Sequence, residues 1–513
     1  MTPSAQMPAA ASHGGSFAGK AAWSGLSVVI LAAGRFGAGI IAARTLGPAI
    51  SGEVIYLLWL ADSVSLVASL GLHATLTRFT AELNSQGRPQ QATALLRWTV
   101  VRYMVVQCLF SAALALALPA VTGVAISQPA RLLLLAYSLS QAANTFVTSH
   151  LAGRQRFDLM ARLSAVSGVL LTIGVAMGCL FGGLSGAILG YALGALPGVF
   201  FVRRMLRTGG AGACALDTAV RARAMRYGLF TCFAAVLSAF VWSRTEIYFL
   251  SRYCGFHAVA MFNVGLSLCA MVNQAAALMT SSLVPHFAAL AGRADLDSMR
   301  RNYTALTRLV GLLVFPLSMT FAAVAPVLVP LLYGRAFVDA IPTATALATL
   351  ASLSVANVGS ALVYGREKSW FIAATGTGGA LLALAGGLLI VPTWGALGAA
   401  ASRAAVQCIM IGVGTWYIQV HLQCPFPWLP LGKTMSAALL AAGAARSVVY
   451  LRPGPLGLAL ALSVSAVLYG ALVRALGLFQ PCDAEVVYRM LPALPTHFAT
   501  PVRRATGWVV GLR

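Results

Sequence analysis

Charge placed inside apolar sequence is the chemistry this chain offers. Arg35, Asp62, Arg244 with Glu246, and Arg403 each fall within a stretch of mostly apolar residues. In hydrocarbon an ionised side chain costs at least about 2.5 to 3.5 kcal/mol on insertion scales, so it is kept where water, a partner or a function offsets that cost. At the rise of an α-helix, Arg35 lies about 12 Å inside the outer end of its segment and Asp62 about 16 Å inside the outer end of the next. The short connection between them makes the two segments antiparallel neighbours and lets Arg35 pair with Asp62. Arg403 lies about 12 Å inside its own outer end. Arg244 is shallow enough to snorkel, and two positions from Glu246 it points to a different helix face. Arg35, Arg244 and Arg403 together predict a cationic cavity in the outer half of the molecule. Guanidinium is planar, forked and always charged, which suits phosphate and carboxylate, so the expected ligand is an anion.

Neutral polar residues extend the same argument. Tyr137, Gln141, Asn144 and Thr148 follow i, i+4, i+7, i+11 spacing, and Asn263, Ser267 and Gln274 form a second stripe. Thr345, Thr349, Ser352 and Ser360 share a face on a third segment. Gln141, Asn144 and Asn263 therefore join Arg35, Asp62, Arg244 and Arg403 as expected cavity-lining residues. The competing reading is interhelical packing, worth about 0.6 kcal/mol per hydrogen bond on average. Nothing resembles an enzyme's machinery: there is no P-loop, no HExxH and no nucleophile elbow. The nine cysteines are scattered, mostly within apolar segments and without CxxC spacing, so no metal, disulfide framework or cofactor is expected.

The elements that must position these groups are membrane spans. Hydrophobic residues make up 59% and charged residues 9% of 513 positions, and the mean hydropathy is +0.83, far beyond what a soluble core needs. On a ruler of about 20 residues per crossing, fourteen segments start near Ala21, Ser51, Val101, Leu132, Leu163, Leu184, Tyr227, Ala258, Leu306, Ile341, Phe371, Ala396, Leu431 and Leu456. Gly182, Gly183 and Gly186 mark a tight turn between the fifth and sixth. The net charge of +23 is explained by sidedness. With the N-terminus inside, 26 of 35 Lys and Arg fall on the cytoplasmic side and six outside, the positive-inside pattern with both termini cytoplasmic. No loop is long enough to build a basic nucleic-acid-binding domain. Residues 1–20 read as a disordered cytoplasmic tail, and 479–513, with Arg489, Arg503, Arg504 and Trp508, as a second tail able to lie on an anionic leaflet.

The chain also repeats itself. Arg44 to Gly47 recurs as Arg252 to Gly255 and Phe79 to Ala81 as Phe287 to Ala289, both at an offset of 208, and Gly183 to Ala187 recurs as Gly395 to Ala399 at 212. This predicts two six-helix lobes, 21–205 and 227–420, joined by a cytoplasmic linker, 206–226, with two further helices in 421–478. Six is even, so the copies share an orientation and are related by a pseudo-two-fold axis along the membrane normal, an arrangement known from transporters.

The motifs Ala43 to Gly52 and Gly71 to Phe79, followed by Arg252 to Asn263, Leu332 to Phe337 and Gly395 to Ala401, resemble landmarks of the polysaccharide-unit flippases, the O-antigen and exopolysaccharide exporters of the multidrug/oligosaccharidyl-lipid/polysaccharide (MOP) superfamily. The resemblance covers about residues 20 to 425. It implies two six-helix bundles around a central cavity. It also implies alternating access that carries an oligosaccharide linked to undecaprenyl diphosphate from the cytoplasmic to the outer leaflet; abundant Ala and Arg with very few Lys point to a bacterial inner membrane, and polymerase and chain-length machinery are the expected partners. A cationic cavity is what a diphosphate requires, so residues and resemblance agree in sign. The competing readings are a cation-coupled multidrug exporter, which calls for buried carboxylates, and a membrane enzyme of glycan assembly, which calls for a large outer loop.

Overall fold

Backbone N–H and C=O groups in hydrocarbon have no water to bond, and a helix satisfies them within each segment. The computed structural model describes residues 17–122, 126–208, 216–242, 245–280, 283–293, 295–366 and 368–479, and among them every regular element is helical. The first half consists of α1 (Phe17–Ala68), α2 (Leu72–Ser85), α3 (Pro89–Thr122), α4 (Gln128–Gly153) and α5 (Phe157–Thr208). Then come α6 (Thr218–Trp242), α7 (Glu246–Tyr253), α8 (Gly255–Thr280), α9 (Leu283–Gly292) and α10 (Leu296–Tyr333). The next span is assembled from a 3-10 turn (Arg335–Ala340), α11 (Ile341–Leu350), a second 3-10 turn (Ala351–Ala356) and α12 (Asn357–Gly365). It is followed by α13 (Ser369–Leu389), α14 (Val391–His421), α15 (Trp428–Leu451) and α16 (Pro455–Ala475). The tail residues 1–16 and 480–513 lie outside the described residues.

Ten of the described spans are long and apolar enough to cross a membrane, and α1 and α5 each contain a reversal that makes them cross twice. In α1 the helix breaks at Gly47 (φ 74°, ψ 175°). Arg35 and Asp62 would lie about 40 Å apart on a straight helix, yet both act electrostatically on Tyr137, so the two arms run side by side. In α5 the break is at Gly183, and a Cβ on Gly178 would overlap the backbone of Gly186 on the returning arm. With α4, made less apolar by Gln141 and Asn144, and the α6–α7 pair, the crossings number fourteen. The protein is an all-α, multi-pass membrane protein.

The repeat offsets reappear in backbone geometry. Gly183 (φ 54°, ψ −129°) and Gly395 (φ 55°, ψ −134°) reverse the chain with nearly one set of angles, and Gly47 and Gly255 share φ values of 74° and 79°. Positive φ of this kind favours glycine. α2 and α9 continue their spans as short helices, each with its repeat phenylalanine (Phe79, Phe287) buried. The linker is shorter than the sequence predicts, since α6 already begins at Thr218. Arg223 bonds Glu82 on α2 at 2.8 Å, the Arg221 guanidinium lies over the Trp98 ring at 5.7 Å, and the Asp217 N–H donates to Gln91 at 3.2 Å. These contacts hold the start of α6 against the first half.

The two halves also meet along α1 and α8. A Cβ on Gly52 would overlap the Phe256 carbonyl, the Tyr56 and Phe256 rings lie 5.6 Å apart, and Arg44 donates to the Leu331 carbonyl on α10.

Candidate functional site

In the first half the polar side chains converge on one tyrosine. Tyr137, buried on α4, donates its hydroxyl to Asp62 Oδ1 at 2.9 Å. Arg35, on the facing arm of α1, lies within electrostatic reach of the same ring. Tyr191 meets Tyr137 edge to face at 6.5 Å. One turn further along α1, Ser65 Oγ accepts from Gln107 Nε2 at 2.7 Å, and the same nitrogen donates to Ser111 Oγ at 3.0 Å. Arg35 and Asp62 are exposed whereas Tyr137 and Gln107 are buried. A carboxylate in the middle of an apolar segment, hydrogen-bonded by a buried tyrosine, is a candidate functional group by its cost in hydrocarbon. Tyr137→Phe removes a hydrogen bond to a charged acceptor, worth about 1.5 kcal/mol or more when buried and less at a half-open site. The expected result is several-fold slower transport with unchanged protein level, checked by a transport assay beside an immunoblot.

Further along the α4 stripe Thr148 and Asn144 make helix contacts. Thr148 Oγ1 donates to the Asn144 and Thr145 carbonyls of its own helix, at 3.0 and 2.9 Å. Asn144 is buried against α5, so close that a Cβ on Gly198 would overlap its backbone. Asn144 is therefore corrected from cavity lining to helix contact, and Gln141 stays half-buried on the same helix. On α8 Ser267 donates to the carbonyl of Asn263 at 2.8 Å, and Asn263 is half-buried. The stripe after Thr345 does not continue. A 3-10 turn advances about 120° per residue against about 100° in an α-helix, so the six residues Ala351–Ala356 rotate the face away, burying Ser352 and exposing Ser360.

In the second half Arg403 on α14 is 8% exposed and its Nη1 donates to both carboxylate oxygens of Glu246 on α7, at 3.2 and 3.3 Å. The expected cationic trio is corrected accordingly: Arg403 belongs to a buried, internally balanced ion pair. Arg244 lies outside the described residues. Burying one charge without the other would be prohibitive, whereas the pair with two hydrogen bonds is tolerated.

Two groups were passed over in the sequence. Gln107 and Ser111 carry i, i+4 spacing inside α3, a signal open to the rule that found the α4 stripe. Glu53 is half-buried in the arm after Gly47, where a carboxylate at the edge of a segment reads as interfacial.

Two arms of paired helices, each half carrying its own intramembrane polar site, give a multi-pass membrane fold like that of solved MOP superfamily transporters. The chain belongs to the family described as "Polysaccharide biosynthesis protein", which matches residues 41–342, more than half of its length. Among solved structures it is similar to the lipid II flippase MurJ in an inward closed conformation, with a TM-score of 0.63 and 9% identity over 88% of this chain and 98% of that one. It is also similar to an inward-facing multidrug resistance MATE family transporter (TM-score 0.60, 14% identity, 78% and 98% covered). A third is a MOP superfamily transporter from Pyrococcus furiosus whose binding pocket is described as having reverse polarity (TM-score 0.54, 14% identity, 79% and 94% covered). Comparison with curated protein sequences gives no match.

Proposed function

We propose that this transporter carries an oligosaccharide linked to a polyprenyl diphosphate from the cytoplasmic to the outer leaflet of a bacterial inner membrane. The observation that supports it is the distribution of charge. In the second half Glu246 and Arg403 balance each other out of reach, whereas Arg35 is exposed and within electrostatic reach of Tyr137, which bonds Asp62. An accessible guanidinium inside the membrane, in a chain of the polysaccharide biosynthesis family, suits the phosphates of a lipid-linked sugar. The headgroup enters between the halves from the cytoplasm while the polyprenyl tail stays in lipid, and rocking of the halves releases it outside. Polymerase and chain-length machinery would take the product. A cation-coupled drug exporter calls for carboxylates open to a cation; Glu246 is taken by Arg403, which leaves that reading only the exposed Asp62, bonded on one side by Tyr137.

The test is a strain lacking the protein, with surface polysaccharide quantified and lipid-linked sugar counted on each leaflet. Loss of polysaccharide with unit accumulating on the inner leaflet supports the reading; accumulation on the outer leaflet points to a polymerase instead. Arg35→Glu, restored to that strain, is expected to abolish export while the protein stays at wild-type level, because an exposed side chain contributes little to stability. Normal export by that variant would remove Arg35 from the substrate path.

A further inference from the structure

The junction of α10, α14 and the loop leading to α15 holds a shallow, open cavity that shares no lining residue with the Tyr137 site. Its volume is about 500 Å³ and its walls are Arg300, Gln419, Gln423 and Pro425. Arg300 stands in the first turns of α10, on the end of the molecule that the arginine asymmetry assigns to the cytoplasm. Its Nη2 donates to Gln423 Oε1 at 2.6 Å, its Nη1 is 3.7 Å from the largely exposed Asp297, and its Nε is buried with no hydrogen-bond partner among the described residues. The other nearby carboxylate, Asp295, is occupied in capping the Ser298 N–H at 2.9 Å, while Arg301 and Arg366 add positive charge at the same end.

The loop is built to keep Gln423 in place. Gln423 has φ +53°, a left-handed conformation that side chains other than glycine adopt at a cost. Thr304 Oγ1 donates to the Pro425 carbonyl at 3.3 Å and the Cys424 N–H to the Ile418 carbonyl at 3.2 Å. Strain held by surrounding contacts is a feature of ligand clamps. Beside the polar wall the surface is apolar: Val420, Trp428 and Leu429 are 55%, 66% and 73% exposed. A tryptophan beside cationic groups is the pattern of the membrane interface, and basic pockets between spans on the cytoplasmic side hold lipid headgroups.

We propose that this cavity binds the phosphate of an anionic phospholipid from the cytoplasmic leaflet, with Arg300 as ion partner, the Gln419 and Gln423 amides bonding headgroup hydroxyls, and the acyl chains lying against Val420 and Leu429. The site is separate from the proposed substrate path and stands whether or not that reading holds.

The test uses the full chain reconstituted in vesicles of equal phosphatidylglycerol and phosphatidylethanolamine, then released and weighed by native mass spectrometry. Wild type is expected to retain phosphatidylglycerol in preference to phosphatidylethanolamine. Arg300→Gln should lower that retention about tenfold, the weight of one charge-assisted contact, with Arg300→Lys intermediate and Arg156→Gln, in the loop between α4 and α5, unchanged. Gln419→Leu, which leaves the Arg300–Gln423 bond in place, should weaken retention as well, so the site is tested even if Arg300→Gln elutes as aggregate. Equal retention by all variants would overturn the assignment. Displacement of the lipid by inorganic phosphate at millimolar concentration, without preference for phosphatidylglycerol, would also overturn it in favour of a soluble phosphate ligand.

Discussion

Glu246→Gln and Arg403→Gln, made singly, are each expected to destabilise the protein by about 3 to 5 kcal/mol, the range for breaking a buried ion pair from one side. The Glu246 and Arg403 side chains are 11% and 8% exposed and meet through one guanidinium nitrogen and both carboxylate oxygens. Removing either leaves the other charged in a medium that solvates it poorly. The double variant Glu246→Gln with Arg403→Gln leaves two neutral amides able to bond each other, so most of the loss should return, and the coupling energy of the cycle should be large and favourable. The measurement is thermal unfolding in detergent together with the amount of each variant in the membrane. A substrate-binding role for Arg403 predicts the opposite pattern: Arg403→Gln would keep wild-type stability and abolish export. Arg403→Glu, which sets two carboxylates face to face, should be the least abundant of the series.

How far the sequence could be read follows from what each signal depends on. Membrane crossing and sidedness depend on composition over about twenty residues, and they are legible without knowing any contact. The repeat was legible because its markers are glycines whose backbone angles no other residue takes easily, so Gly183 and Gly395 had to stay glycine for geometric reasons. Contacts between segments are another matter. Arg403 and Glu246 are distant in sequence and on different helices, and depth along a helix says nothing of which way it is turned. The α4 stripe looked uniform by spacing, yet Tyr137 reaches Asp62 while Asn144 meets α5 at Gly198. One helix can meet several neighbours along its length. The 3-10 turn Ala351–Ala356 broke the third stripe because periodicity assumes a constant turn angle.

Gly52→Ala is expected to reduce export at least tenfold, about 1.4 kcal/mol in a conformational equilibrium, without lowering the amount of protein. The substitution suits the helix itself, since alanine is favoured over glycine in a helix interior by about 1 kcal/mol. What it disturbs is the contact between halves: the added methyl would overlap the Phe256 carbonyl at the start of α8. The same region carries the Tyr56–Phe256 ring contact at 5.6 Å and the Arg44 bond to Leu331, and on the orientation proposed from the charge asymmetry all of it lies at the outer face. Contact between the halves there is what closing that face requires. A protein unable to close it should dwell in conformations open to the outside, so its cycle stalls even though each half is intact. Gln141→Cys, beside the Tyr137 site, reports this directly in a background where exposed Cys108 and Cys408 are serine. An impermeant maleimide added outside should label it faster when Gly52→Ala is present. Wild-type export with unchanged labelling would mean that the Gly52–Phe256 approach is not a step of transport. Labelling that rises while export persists would mean that closure tolerates the methyl, and then the outer contact helps to set the resting conformation without limiting the cycle.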